Sequence, residues 1–195
     1  HRLLGFAATH GVEFVGISFA EHAEHIGAIR SAVGRSGPRI ISKIEHQRAL
    51  ANLEGLLDAS DAVMIDRGDL SIETGLHGVA LQQKRILAQA RRAGKPAIVA
   101  TEMLHSMMAS PLPTKAEISD ITNAVLDGAS AVMLSGETAV GQFPIDAVRM
   151  MRQVADASSA ELQARLDQGH EAATCDVPQA MEDAIALICR RLPVT

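Results

Sequence analysis

Five short apolar runs recur along the chain: Val12 to Ser18, Arg39 to Ile44, Ala62 to Ile65, Ala97 to Thr101 and Ala131 to Ser135. Each gives way to a polar residue, the pattern of a strand buried on both faces. Amphipathic stretches lie between them. Ala20 to Val33 sets Ile26, Ile29 and Val33 on one helical face, Leu50 to Leu57 is apolar at similar spacing, and Leu81 to Ala93 runs into the stop Gly94-Lys95-Pro96. Another helix is predicted from about Ala116 to Leu126, ending at Asp127-Gly128. Beyond Pro144 the pattern predicts a long helix to about Leu166, a polar link from Asp167 to Pro178 and a last helix from Gln179 to Arg191. That link is the expected domain boundary.

Strand then helix, five times over, implies right-handed crossovers and a parallel α/β sheet. A doubly wound open sheet and a (β/α)8 barrel both fit, and both bind ligands at the C-terminal ends of their strands. The polar residues collect there: Lys43, Glu45, Arg67, Asp69, Thr101, Ser135 and Glu137 each sit at or just past the end of an apolar run.

Composition narrows the function. The chain of 195 residues is 47% hydrophobic, enough to bury a core, and only 2% aromatic, so Ala, Val, Leu, Ile and Met must fill the interior. A net charge of −5, with no basic run longer than Arg91-Arg92, argues against a nucleic-acid partner. No apolar stretch approaches the roughly 20 residues that span a bilayer, and the first residues lack a signal-peptide pattern. Cys175 and Cys189 show neither a pairing framework nor ligand spacing. A cytoplasmic protein without a membrane partner is expected. The first residue is His rather than Met, which points to a longer polypeptide.

Lys43 and Glu45 lie two apart at a strand end, on one face, and can share a ligand or form a structural ion pair. Asp69, in Arg67-Gly68-Asp69, ends the next strand, where Gly68 lets backbone N–H groups approach an anion. Glu45 and Asp69 on adjacent strands supply two hard oxygen ligands of the kind Mg2+ or Mn2+ takes. Thr101 fits a helix N-cap or a substrate contact. Met103, Met107 and Met108 read as core. His22 and His25 read as a solvated helix face, and His46, His77 and His105 as isolated. Ser135-Gly136-Glu137-Thr138 suits a tight turn or a phosphate contact.

Together these motifs resemble pyruvate kinase. The likeness runs through Ile41-Ser42-Lys43-Ile44-Glu45, Arg67-Gly68-Asp69-Leu70, Gly94-Lys95-Pro96, Ala100-Thr101, Asn123-Ala124-Val125-Leu126-Asp127-Gly128 and Leu134-Ser135-Gly136-Glu137-Thr138-Ala139. It covers about Gly11 to Ser159. The resemblance implies the fourth to eighth strands of a (β/α)8 TIM barrel over residues 1–166, with 167–195 forming a link and the first helix of a following domain. It implies a metal-dependent kinase that converts phosphoenolpyruvate and ADP to pyruvate and ATP. In that reading Glu45 and Asp69 bind Mg2+ or Mn2+, Lys43 stabilises the phosphoryl group in flight, and the Gly68 and Asp69 backbone binds the carboxylate. Thr101 joins the proton-delivery network, while Arg67 and Ser135 line the substrate site. The K+ site and most nucleotide contacts belong to segments with no counterpart in these residues.

Three positions depart from the family pattern: Asp66 stands where Ala is usual, Ser71 where Gly is usual, and Glu102 where Gln is usual. Asp66 would act as an acid or base beside the methyl carbon of pyruvate, or pair with Arg67 or Lys43; pairing is the favoured reading. A metal-dependent lyase or aldolase using a pyruvate enolate is the alternative activity, and a non-catalytic binding or regulatory fragment the non-enzymatic one. Five strands do not close an eight-stranded barrel, so the edges near Val12 to Ser18 and Ala131 to Ser135 need cover. Further polypeptide is favoured over a second copy as that cover, and a homo-oligomer is expected.

Overall fold

A computed structural model describes residues 2–34, 37–168, 181–182 and 184–185. Cys175, Cys189, most of the expected link and most of the expected last helix lie outside the described residues. Two compact units divide the chain, 1–156 and 157–195. In the second, Arg165 Nε donates to Glu161 Oε1 at 2.8 Å, one helical turn apart.

The first unit contains five strands: β1 (Phe14–Ile17), β2 (Arg39–Ile44), β3 (Ala62–Asp66), β4 (Ala97–Ala100) and β5 (Ala131–Met133). They form one sheet in the order β1-β2-β3-β4-β5, every neighbouring pair parallel. A doubly wound sheet reverses its strand order at a switch point, whereas a barrel adds strands in one direction. The monotonic order therefore excludes the doubly wound alternative and gives the winding of a barrel.

Helix α1 (Arg2–Thr9) precedes β1; α2 (Ala23–Val33), α3 (Gln47–Ala51), α4 (Leu53–Ala59), α5 (Arg67–Thr74), α6 (Leu76–Arg92) and α7 (Lys115–Leu126) fill the crossovers; α8 (Gly136–Ala139) and α9 (Pro144–Gln168) follow β5. The single helix expected from Leu50 to Leu57 is two, because Asn52 breaks it at φ −110°, ψ 21°. Helix α5 starts directly after β3. Its small polar sequence, Arg-Gly-Asp-Leu-Ser-Ile-Glu-Thr, hides it from an apolar-periodicity search.

Strand parity separates the two sheet faces. Ile40, Ile44, Val63, Ile65, Ala97 and Val99 point into a core shared with Leu56, Leu70, Ile86, Leu87, Met103, Met107 and Ile121. Successive right-handed crossovers put the helices on that face. The opposite face carries Ile41, Lys43, Met64, Asp66 and Ile98, with Lys43 in register with Met64 and Asp66 with Ala100. The central strands are largely buried, but β1 is not: Phe14 is 48% exposed, because an edge strand has a neighbour on one side only.

Helix α7 is held by a capping box. Thr114 Oγ1 accepts from Glu117 N at 3.2 Å, and Glu117 Oε2 accepts from Thr114 N at 2.7 Å. The same carboxylate reaches the loop after β4, accepting from Ser106 N at 2.7 Å and Ser106 Oγ at 2.5 Å. Burial alone would raise its pKa, but the hydrogen bonds from Ser106 and Thr114 outweigh burial and hold it below the ordinary 4.5. A carboxyl with a lowered folded pKa contributes stability above its unfolded value and loses it as pH falls through the folded one. Glu117→Ala is expected to destabilise by about 2 kcal/mol at neutral pH. The gap to wild type should close as pH falls below 4.5. Urea denaturation at neutral and acid pH measures both; a gap that does not change with pH contradicts the assignment.

Candidate metal centre

At the C-terminal ends of β2 and β3, parity brings Lys43, Glu45 and Asp66 to one place, and the first turn of α5 adds Asp69. One carboxylate oxygen from each of Glu45, Asp66 and Asp69 lies within 4.8 Å of the others. Glu45 is 1% exposed and Asp66 8% exposed, while Asp69 faces solvent. The Lys43 ammonium pairs with Glu45 Oε1 and lies 2.9 Å from Asp66 Oδ2 and 3.3 Å from Ser18 Oγ. Burial pulls the Lys43 pKa down, but the Glu45 and Asp66 carboxylates outweigh burial and raise it above 10.5. Lys43 is thus a cation at neutral pH.

Glu45 is aimed by the end of β1. Phe19 N donates to Glu45 Oε2 at 2.6 Å, leaving the buried Oε1 to the Lys43 ammonium. Phe19 turns its N–H this way by taking φ 52°. Among the described residues the other non-glycine positions with positive φ are Thr101 (70°) and Glu102 (55°), at the end of β4. Left-handed backbone at a bulky or β-branched residue costs about 1–3 kcal/mol and persists only where its surroundings impose it. All three strained residues stand at strand ends around the carboxylates.

What imposes the conformation at Thr101 and Glu102 is Arg67. It is 7% exposed, and its guanidinium uses all five donors on the chain itself. Nε donates to Thr101 O at 3.1 Å, and Nη2 donates to Thr101 O at 2.8 Å and Glu102 O at 3.0 Å. Nη1 donates to Asp120 Oδ2 at 2.5 Å and Gln83 Oε1 at 3.4 Å. Thr101 Oγ1 in turn accepts from Gly68 N at 2.8 Å and donates to Ala100 O at 2.6 Å, so it caps α5 across the strands and not a helix of its own. The Gly68 amide, expected to meet an anion, is engaged by Thr101.

At the end of β5, Glu137 is 2% exposed and accepts from Ser135 N at 2.9 Å and Leu104 N at 3.0 Å. It ties the loop after β5 to the loop after β4. His46, unassigned from sequence, caps α3: its Nδ1 accepts from Ala49 N at 3.0 Å. His22 and His25 are exposed. Sequence placed Arg67 and Glu137 at strand ends but missed Phe19 and the partners of all three, because Glu45, Thr101 and Leu104 lie far along the chain from Phe19, Arg67 and Glu137.

The donor set fits a hard divalent cation. It offers three carboxylates, two of them buried, and no sulfur or imidazole.

The pyruvate kinase barrel-domain model matches residues 1–148. Over 156 residues the chain is 47% identical to human pyruvate kinase PKLR, covering 79% of this chain and 27% of that protein. Over 198 residues it is 41% identical to pyruvate kinase 2 of Synechocystis, covering 97% of this chain and 32% of that protein. Over 153 residues it is 48% identical to the pyruvate kinase of Mycobacterium tuberculosis H37Rv, covering 77% of this chain and 32% of that protein. The chain spans about a third or less of the length of these curated relatives. Family match, parallel barrel winding and the motif residues at the strand ends agree, and the chain belongs to the pyruvate kinase family.

Proposed function

We propose that this chain carries the cation- and enolate-binding part of a phosphotransferase that converts phosphoenolpyruvate and ADP to pyruvate and ATP. The supporting observation is the cluster of Glu45, Asp66 and Asp69 oxygens within 4.8 Å beside the Lys43 ammonium, at the strand ends of a pyruvate kinase barrel. Glu45 and Asp69 would hold Mg2+ or Mn2+, which supplies neutralisation of the enolate and phosphoryl charge when bound. Lys43 places a second positive charge where the phosphoryl group passes, and burial makes it worth more than in water. The N-terminal turn of α5, at Gly68 and Asp69, would orient the substrate carboxylate once Thr101 Oγ1 releases Gly68 N, and the freed hydroxyl would then hold a proton at the enolate. Ser135, just past the end of β5, would contact the substrate. Arg67 acts on substrate only through Thr101, since its donors are all engaged.

In the same reading the five strands are the later five of a (β/α)8 barrel over residues 1–166, and 167–195 leads into the next domain. K+ and most of the nucleotide bind outside these residues, and the assembled protein is a cytoplasmic homo-oligomer. No helix among the described residues is long and apolar enough to cross a membrane.

Mn2+ titration followed by electron paramagnetic resonance tests the proposal. The chain is expected to bind Mn2+, pyruvate to perturb the bound-Mn2+ signal, and Glu45→Gln to weaken Mn2+ binding at least tenfold, about 1.4 kcal/mol. Equal Mn2+ affinity in wild type and Glu45→Gln would remove Glu45 from the site and the proposal with it.

A further inference from the structure

Asp66 is the part of the cluster that the family pattern does not explain, and its surroundings suggest a role beyond pairing. It shares a sheet face with Lys43, is 8% exposed, and contributes an oxygen to the group that lies within 4.8 Å. Against one ammonium, the buried carboxylates of Glu45 and Asp66 leave one net negative charge out of water, and the exposed carboxylate of Asp69 adds a second beside it. Burying net charge is costly, so an arrangement of this kind calls for a counter-cation. Glu45 Oε1 and Asp66 Oδ2 already hold one cation between them, the Lys43 ammonium, which marks the place where positive charge is stabilised.

We propose that Asp66 is a third carboxylate ligand of the divalent cation, and that it tunes the charge of the loaded site. This rests on the cation site proposed above. Oxygens around one octahedral cation at about 2.1 Å lie about 3 Å apart in cis. The three carboxylates therefore need to draw in modestly, and the Lys43 ammonium that now bridges Glu45 and Asp66 yields its place between them. With Asp66 present, a divalent cation brings the four side chains to neutrality. With Asn in its place, the same cation leaves one positive charge. Asp66 thus strengthens cation binding and weakens the pull on an anionic substrate, two effects of opposite sign from one side chain.

Mn2+ binding is measured on the chain by electron paramagnetic resonance, and phosphoenolpyruvate binding to the Mn2+-saturated chain by calorimetry, for wild type, Asp66→Asn, Lys43→Met, the double variant and Glu45→Gln. Asp66→Asn is expected to weaken Mn2+ binding about tenfold and tighten phosphoenolpyruvate binding severalfold. The loss of Mn2+ affinity should persist in the Lys43→Met background, because a ligand acts on the cation directly. Circular dichroism confirms that the variants are folded, and Asp66→Ala repeats the comparison if Asp66→Asn is not. Unchanged Mn2+ affinity in Asp66→Asn, or an effect that vanishes in the Lys43→Met background, would show Asp66 to be a partner of Lys43 alone and overturn the inference. If Glu45→Gln abolishes Mn2+ binding in that series, the cation site itself still stands. A wild-type chain that binds no Mn2+ overturns both.

Discussion

Arg67→Ala is expected to lower the stability of the first unit by about 3–4 kcal/mol, among the largest losses from one side chain outside the apolar core. The ion pair with Asp120 is the smaller part of this. Asp120 has a side chain 37% exposed and rehydrates when its partner is removed, so solvent screening leaves that contact about 1 kcal/mol or less. The larger part comes from the Thr101 and Glu102 carbonyls, which lose three donated hydrogen bonds, and from the space left by a side chain on a residue only 7% exposed. Left-handed strain at Thr101 and Glu102 is then opposed mainly by the Gly68 N to Thr101 Oγ1 hydrogen bond, and the loop loosens. Arg67→Lys keeps the charge but cannot reproduce the planar fork, so it should recover less than half of the loss. Urea unfolding with an unchanged m-value measures the stability. Hydrogen exchange at residues 101–103 reports the loop. A loss under about 1 kcal/mol, with no change in exchange there, would mean that the loop holds its own shape.

Glu137→Ala should cost about 2–4 kcal/mol, because it leaves the Leu104 and Ser135 amides without acceptors in a place that water does not reach easily. For a domain of this size that corresponds to a fall in Tm of about 4–16 °C. Glu137→Gln keeps one acceptor oxygen and should fall between. The pH dependence gives a second check. Burial would raise the Glu137 pKa, but hydrogen bonds from its own N–H and those of Ser135 and Leu104, with a nearby His105, outweigh burial and hold it below 4.5. Its contribution is present above the unfolded value and lost as pH falls through the folded one. Wild type should therefore lose stability on acidification more steeply than Glu137→Ala. Parallel pH profiles would show that the carboxylate is not the group that joins the two loops.

The amino-acid sequence determined the periodic features of this protein. Apolar runs alternating with amphipathic stretches are enough to specify parallel strands and crossovers, because burial of a strand on both faces and of one helical stripe are local demands on residue type. The two-residue spacing of Lys43 and Glu45 likewise placed them on one face without any knowledge of partners. Strand order was not local. Choosing between a doubly wound sheet and a barrel required seeing that β1 to β5 pair in sequence order. Helix α5 escaped detection because its few apolar residues give no clear period, and its position depends on Gly68 N meeting Thr101 Oγ1, 33 residues away. The role of Arg67 was decided in the same way: an Arg in a polar tripeptide reads as a surface ligand-binder, yet the carbonyls of Thr101 and Glu102 turn it inward. Pairing of Asp66 with Lys43 or Arg67 was expected from sequence, but only the folded chain chose Lys43 and brought Asp66 within reach of Glu45 and Asp69, because these charges come from different strands and a helix end.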